Sequence, residues 1–215
     1  MNCVICETRK PRRYCPGVSG EICSICCGTE REETVDCPLD CEYLRAAHLH
    51  ADGPPIDTSA IPDRDIEVTE EFLEQREWLL VLLGSALLEK APVPPCTDFD
   101  VREALASLIK TYRTLQSGLV YESLPTNPYA AAMHEAIQNR VAELKDRIAE
   151  SGGTETLRDA EILGILVFLQ RLEYMHNDGR TRSRAFLDFL SRFYARPEIA
   201  DAESELEPDE PRIIL

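Results

Sequence analysis

Basic residues are scarce in this chain. Lys and Arg number 23 against 39 Asp and Glu in 215 residues, a formal net charge of −16. A surface of that sign cannot neutralise a phosphate backbone along its whole extent, so non-specific wrapping of DNA is unfavourable, and attraction to an anionic membrane surface is disfavoured for the same reason. Apolar runs are short. The longest, Trp78 to Leu88, has 11 residues and contains Gly84 and Ser85, a length that suits a buried helix and falls short of a bilayer span. The opening MNCVICETRK has no basic start followed by an apolar run, so no signal peptide is read there and a soluble, cytoplasmic chain is expected. G-x-G-x-x-G, G-x-x-x-x-G-K-[ST] and G-x-S-x-G are all missing, which removes the common nucleotide-binding and hydrolase signatures.

Cysteine, by contrast, is concentrated. Eight of nine lie in the first 41 residues: Cys3, Cys6, Cys15, Cys23, Cys26, Cys27, Cys37 and Cys41. In a chain without a secretion signal, that clustering favours metal binding over disulfides. Cys3-Val-Ile-Cys6 and Cys23-Ser-Ile-Cys26 are C-x2-C pairs, in which a tight turn lets two thiolates reach one ion; Cys37-Pro-Leu-Asp-Cys41 is a C-x3-C pair. Eight thiols suffice for two tetrahedral sites. Residues 1–50 hold only about a dozen large apolar side chains, without period, too few to offset the conformational entropy of so short a segment. Structural zinc, with apparent binding energies of ~10–16 kcal/mol in small finger peptides, can supply the difference. The expectation is two structural zinc ions. One zinc with spare thiols, an iron–sulfur cluster or a redox module are the alternatives.

Cys3-x2-Cys6, Arg13-Tyr14-Cys15-Pro16 and Ile22-Cys23-Ser24-Ile25-Cys26 together resemble the opening of a HIT-type zinc finger, similar also to MYND and B-box fingers. The resemblance covers about 45 residues. It implies two zinc ions in a cross-brace and binding of another protein. It places Cys3, Cys6, Cys23 and Cys26 on one zinc and makes Cys15 the first ligand of the other. The match then departs: Val18 stands where a further cysteine is expected, and Cys37 and Cys41 stand where the pattern ends in histidine and cysteine. Adjacent Cys27 is the natural replacement, giving Cys15, Cys27, Cys37 and Cys41 for the second ion. His48 and His50 are reserve ligands; alternatively they end a short helix over Cys41–Leu49, where histidine suits the dipole.

Residues 51–65, with three prolines and one glycine, read as a linker. From residue 66 to 196 the period is helical, and an all-α bundle of about five helices is expected. Thr69 caps a first helix reaching about Lys90, stopped by Ala91-Pro-Val-Pro-Pro95. Asp100 and Glu103 form a capping-box arrangement before the stripe Val101, Ala104, Leu105, Leu108, Ile109, Tyr112, Leu115 and Leu119. Asn127-Pro128 starts a third helix, which Gly152-Gly153 stops. The fourth, Thr156 to His176, is apolar on every side between Ile162 and Leu169 and should be central. A fifth runs from about Thr181 to Ala195. Residues 197–215, with seven acidic residues and three prolines, read as a disordered tail.

Few other residues suggest chemistry. Glu173-Tyr-Met-His176 has the E-x-x-H spacing of di-iron bundles, but such sites need two of these motifs and further inward glutamates. A histidine stabilising a helix C-terminus is the better account. His134-Glu135 lacks the second histidine of H-E-x-x-H. Cys96, after Pro94-Pro95, lacks a base. Arg9, Lys10, Arg12 and Arg13 form one basic cluster; Arg180, Arg182 and Arg184, with Arg171, Arg192 and Arg196, form another. These could hold phosphates or an acidic peptide, or form a solvated face neutralised by the acidic tail. The leading expectation is a zinc-binding interaction or adaptor protein with no catalytic constellation, whose partner is another protein. A nucleic-acid-linked regulator is second, and a metalloenzyme with an incompletely coordinated site third.

Overall fold

The computed structural model describes residues 2–50, 56–91, 96–150 and 156–194. The acidic tail expected at 197–215 lies outside them, as do residues 51–55 of the expected linker. Among the described residues the chain is mostly helical, with eight α-helices and one two-stranded sheet.

The first fifty residues are built from short elements. Strands β1 (Arg13–Cys15) and β2 (Gly20–Ile22) pair antiparallel, Arg13 opposite Ile22 and Cys15 opposite Gly20. Pro16–Val18 form the 3-10 turn between them, and Ser19 closes it in the left-handed region, its amide donating to the Pro16 carbonyl at 3.2 Å. Helices α1 (Ser24–Glu30) and α2 (Glu42–His50) follow. Only two small apolar clusters form here. One joins Cys3, Ile22, Cys23 and Cys26; the other joins Val35, Cys37 and Leu44. Val18, where a further cysteine was expected, packs against both, so an apolar contact takes the place of a ligand.

Among the described residues, six helices follow residue 66: α3 (Glu70–Gln75), α4 (Glu77–Lys90), α5 (Asp98–Gln116), α6 (Pro128–Glu150), α7 (Asp159–His176) and α8 (Ala185–Tyr194). Thr69 caps α3 as expected, its hydroxyl accepting from the Phe72 amide at 3.1 Å. The single helix expected over Thr69–Lys90 is broken at Arg76, whose φ of −124° and ψ of 22° are not helical. There the guanidinium turns to Glu161 of α7, Nε at 2.9 Å and Nη2 at 2.5 Å. The capping box of α5 lies one turn earlier than expected, with Asp100 accepting from the Thr97 amide at 2.6 Å. Glu103 instead accepts from the Thr126 amide at 2.7 Å and so fixes the entry to α6.

Helix α7 lies at the centre. Ile162, Leu163, Ile165, Leu166, Val167 and Leu169 are all buried, as the all-round apolar pattern requires. It packs most extensively against α5, while α4 packs on α6 and α7, and α8 crosses α4 and α7. Gly84 of α4 and Gly164 of α7 are costly mid-helix residues, by about 1 kcal/mol each relative to alanine, but a methyl group at either would strike an aromatic ring. The Tyr194 hydroxyl would sit 2.0 Å from a Cβ at Gly84, and the Phe72 ring 2.7 Å from one at Gly164. The apolar stripe of α5 ends before Leu119, which is exposed.

The described end of the expected linker is tied to the bundle. Arg171 donates to the carbonyls of Pro62, Asp63 and Ile66, and Tyr174 donates to that of Asp57 at 3.0 Å. The N-terminal unit is tied down as well, through the turn between α7 and α8. The Arg182 amide donates to the Glu32 carbonyl at 2.7 Å and the Arg184 amide to the Glu32 carboxylate at 2.6 Å. The buried Arg184 guanidinium donates to the carbonyls of Cys37 and Ala91.

Candidate metal centre

Two turns bring four thiols together. The first C-x2-C pair sits on a loop closed by Glu7, whose amide donates to the Cys3 carbonyl at 2.8 Å and whose φ is 56°. The second opens α1, where Cys23 is the N-cap and its sulfur accepts from the Cys26 amide at 3.4 Å. The hairpin carries one pair to the other, because Val4 donates to the Glu21 carbonyl and Ile22 leads directly into Cys23. As a result the Cys3, Cys6, Cys23 and Cys26 sulfurs all lie within 4.8 Å of one another, close enough to hold a metal ion.

The surroundings favour thiolate at the rim and resist it in the interior. Hydrogen bonds from the Thr8 side chain and from the Thr8 and Arg9 backbone hold Cys6 down to about 5, whereas burial, then the neighbouring sulfurs of Cys23, Cys6 and Cys3, push Cys26 up to about 12. Four sulfurs this close cannot all ionise without a cation to share their charge. Arg9 also donates toward Cys23.

The other four expected ligands are placed differently. Cys37 is buried in the second apolar cluster, with Cys15 and Cys41 packed against it. Burial pushes the Cys37 thiol up to about 11. Cys27 packs instead beside the first cluster, and its sulfur accepts from Arg13 and Arg31, each at 3.7 Å. Among the described residues, Cys15, Cys27, Cys37 and Cys41 do not form a second group as tight as the first.

His48, a reserve ligand by sequence, faces carboxylates rather than thiols. Its Nε2 lies 2.9 Å from Glu32 and its Nδ1 3.1 Å from Asp188. Nothing in the sequence joined these residues, which are 16 and 140 positions from His48; the only signal was the histidine itself. Glu173 and His176 do not act together. Glu173 accepts from Arg102 Nε and Nη2, at 2.9 and 3.0 Å, while His176 stacks on Phe189 with centroids 3.7 Å apart. Burial, with Arg192 nearby, lowers the basicity of His176, so it does not supply the positive charge expected at the end of α7. Burial pushes the Cys96 thiol up to about 12, which leaves no thiolate nucleophile there.

The described arginines of the second basic cluster are engaged within the chain, and Arg196 lies outside the described residues. Arg180 donates to the Arg31 carbonyl at 2.5 Å, Arg182 pairs with Asp36 at 2.7 Å, Arg192 pairs with Asp188 at 3.2 Å, and Arg184 is buried. No helix of the described residues is long and apolar enough to cross a membrane. Comparison of the chain with protein-family models, curated proteins and solved structures found no match.

Proposed function

We propose that this chain is a zinc-binding interaction protein, in which a cross-brace-like N-terminal finger contacts another protein and the helical bundle serves as scaffold. The convergence of the Cys3, Cys6, Cys23 and Cys26 sulfurs within 4.8 Å carries this reading. Four thiolates close a tetrahedral zinc, leaving no position for an activated water, so the ion's role is structural rather than catalytic. Cys15, Cys37 and Cys41, gathered around Val35 and Leu44, would take a second zinc with Cys27 completing the set. Val4, Tyr14 and Ile25 stand about half exposed on the finger, near the basic loop of Arg9, Lys10 and Arg12, and supply an apolar contact surface for a partner. Nucleic-acid recognition has less support, since Arg180, Arg182, Arg184 and Arg192 already have partners within the chain.

Metal analysis of the full-length protein purified without added zinc tests the proposal, combined with thiol titration before and after chelation. The expected result is two zinc ions, with Cys96 the only cysteine outside the sites. One zinc, with Cys15, Cys27, Cys37 and Cys41 free to react, removes the second site. A folded chain empty of zinc and iron overturns the proposal. The contact surface is tested by the pair Tyr14→Asp and Ile25→Asp, which should lose the protein partners captured by the wild type while keeping its zinc.

A further inference from the structure

A second cluster of ligand atoms lies where the N-terminal unit meets the bundle. His48 of α2, Glu32 after α1 and Asp178 after α7 each offer one ligand atom, all within 4.8 Å of one another. Their placement does not depend on one another alone. Glu32 sits at φ 54°, its carbonyl and carboxylate held by the Arg182 and Arg184 amides. Asp178 is held by the Arg180 amide at 3.0 Å, beside Gly179 at φ 78°. The 2.9 Å between His48 Nε2 and Glu32 Oε2 is a hydrogen-bond length. It is also the edge, about 3.0 Å, between neighbouring ligands of an octahedral cation with bonds of about 2.1 Å.

The far side of the ring carries the second observation. Asp188 is fully buried, and its Oδ2 lies 3.1 Å from His48 Nδ1. A carboxylate behind a histidine fixes its tautomer and turns the other nitrogen toward a metal. Oδ1 of the same carboxylate has no hydrogen-bond partner. Three carboxylates thus converge on one imidazole. Arg192 at 3.2 Å from Asp188 and Arg180 at 3.5 Å from Asp178 are the cations alongside.

We propose that Glu32, His48 and Asp178 form a divalent-cation site, separate from the thiol centre, that joins the N-terminal unit to the bundle. One nitrogen and two carboxylate oxygens suit a hard or borderline ion such as Mn2+ or Fe2+, with water completing the coordination. This ligand set differs in kind from four thiolates, so the two sites are loaded and read separately.

The test uses the full-length protein with its zinc in place. Mn2+ is titrated in and followed by the loss of the free-ion EPR signal. The expected result is one Mn2+ bound per chain, weakened at least about tenfold by Asp178→Asn, with zinc content and thiol protection unchanged. Asp178 is partly exposed at the rim, so this variant is expected to fold, and the retained zinc reports that it has. His48→Gln should behave alike. No Mn2+ bound at about 1 mM, the weak end for protein sites of this type, overturns the proposal and identifies the cluster as a buried ion-pair clasp. Equal binding by the wild type and Asp178→Asn overturns it too. Neither result bears on the zinc count at the thiols, so failure here is distinct from failure of the finger.

Discussion

Asp98 is fully buried at the first position of α5, where it caps a different helix. Its carboxylate accepts from the Ser183 hydroxyl at 2.7 Å and from the Phe186 and Leu187 amides at 3.0 and 3.2 Å. Burial pushes its carboxyl up to about 7, although those three donors favour the charged form. In Asp98→Asn the two effects oppose each other. Asparagine retains one acceptor oxygen, which in the Oδ2 position keeps the Ser183 hydroxyl and the Phe186 amide, but the Leu187 amide, which bonds to Oδ1, loses its partner, at a cost of about 1–3 kcal/mol. Against this, the substitution removes a buried charge. The native carboxyl titrates above the unfolded one, so wild-type stability falls as pH rises from about 4 to about 7. Between pH 5.5 and pH 8 that linkage amounts to about 2 kcal/mol. Asp98→Asn should therefore be the less stable protein at pH 5.5. It should recover by about 2 kcal/mol relative to wild type at pH 8, reaching or passing it. Urea denaturation of both proteins at the two values measures this, and any effect of pH on the metal centre cancels in the difference. A stability difference that stays within about 0.5 kcal/mol across the range, or moves the other way, refutes the reasoning.

Two further outcomes follow from the bundle. Gly84→Ala should destabilise by about 1 kcal/mol in thermal or urea melts despite alanine's helix preference, because the new methyl displaces the Tyr194 hydroxyl from the Leu80 and Val81 carbonyls; Tyr194→Phe in the same chain should return most of the loss. Burial works to raise the Glu161 carboxyl, but hydrogen bonds from Arg158 and Arg76 hold it down to about 2. The stability it supplies is complete above about 4.5 and is lost as pH falls toward 2, so Glu161→Gln should cost about 1–2 kcal/mol near pH 7, discounted because Arg158 is well exposed, and nothing near pH 2.

Local pattern was legible and remote pairing was not. The stripe of α5, the Asn127-Pro128 start of α6 and the apolar girth of α7 depend on neighbours three or four positions apart, and the structure follows them. The two C-x2-C pairs were legible for the same reason. The break at Arg76 was hidden because its cause is Glu161, 85 residues away. A charged residue's spacing does not say whether it faces water or another segment, so the arginines at 180–184 read as a ligand-holding cluster or a solvated face neutralised by the acidic tail, although they meet Arg31, Asp36 and Cys37. The cluster at His48 escaped for the same reason, since its carboxylates come from the loop after α1, from the turn after α7 and from α8.

The Glu32 and Cys37 carbonyls accept hydrogen bonds from the Arg182 amide and the Arg184 guanidinium across the boundary between the cysteine-rich segment and the helices. A chain cut near residue 50 would leave the guanidinium of Arg184 without the Cys37 acceptor, and the severed fragment would lack the two amides that hold Glu32. Each half completes the other's wiring, so they should melt together, and dissection into separate pieces would yield two damaged proteins rather than two modules.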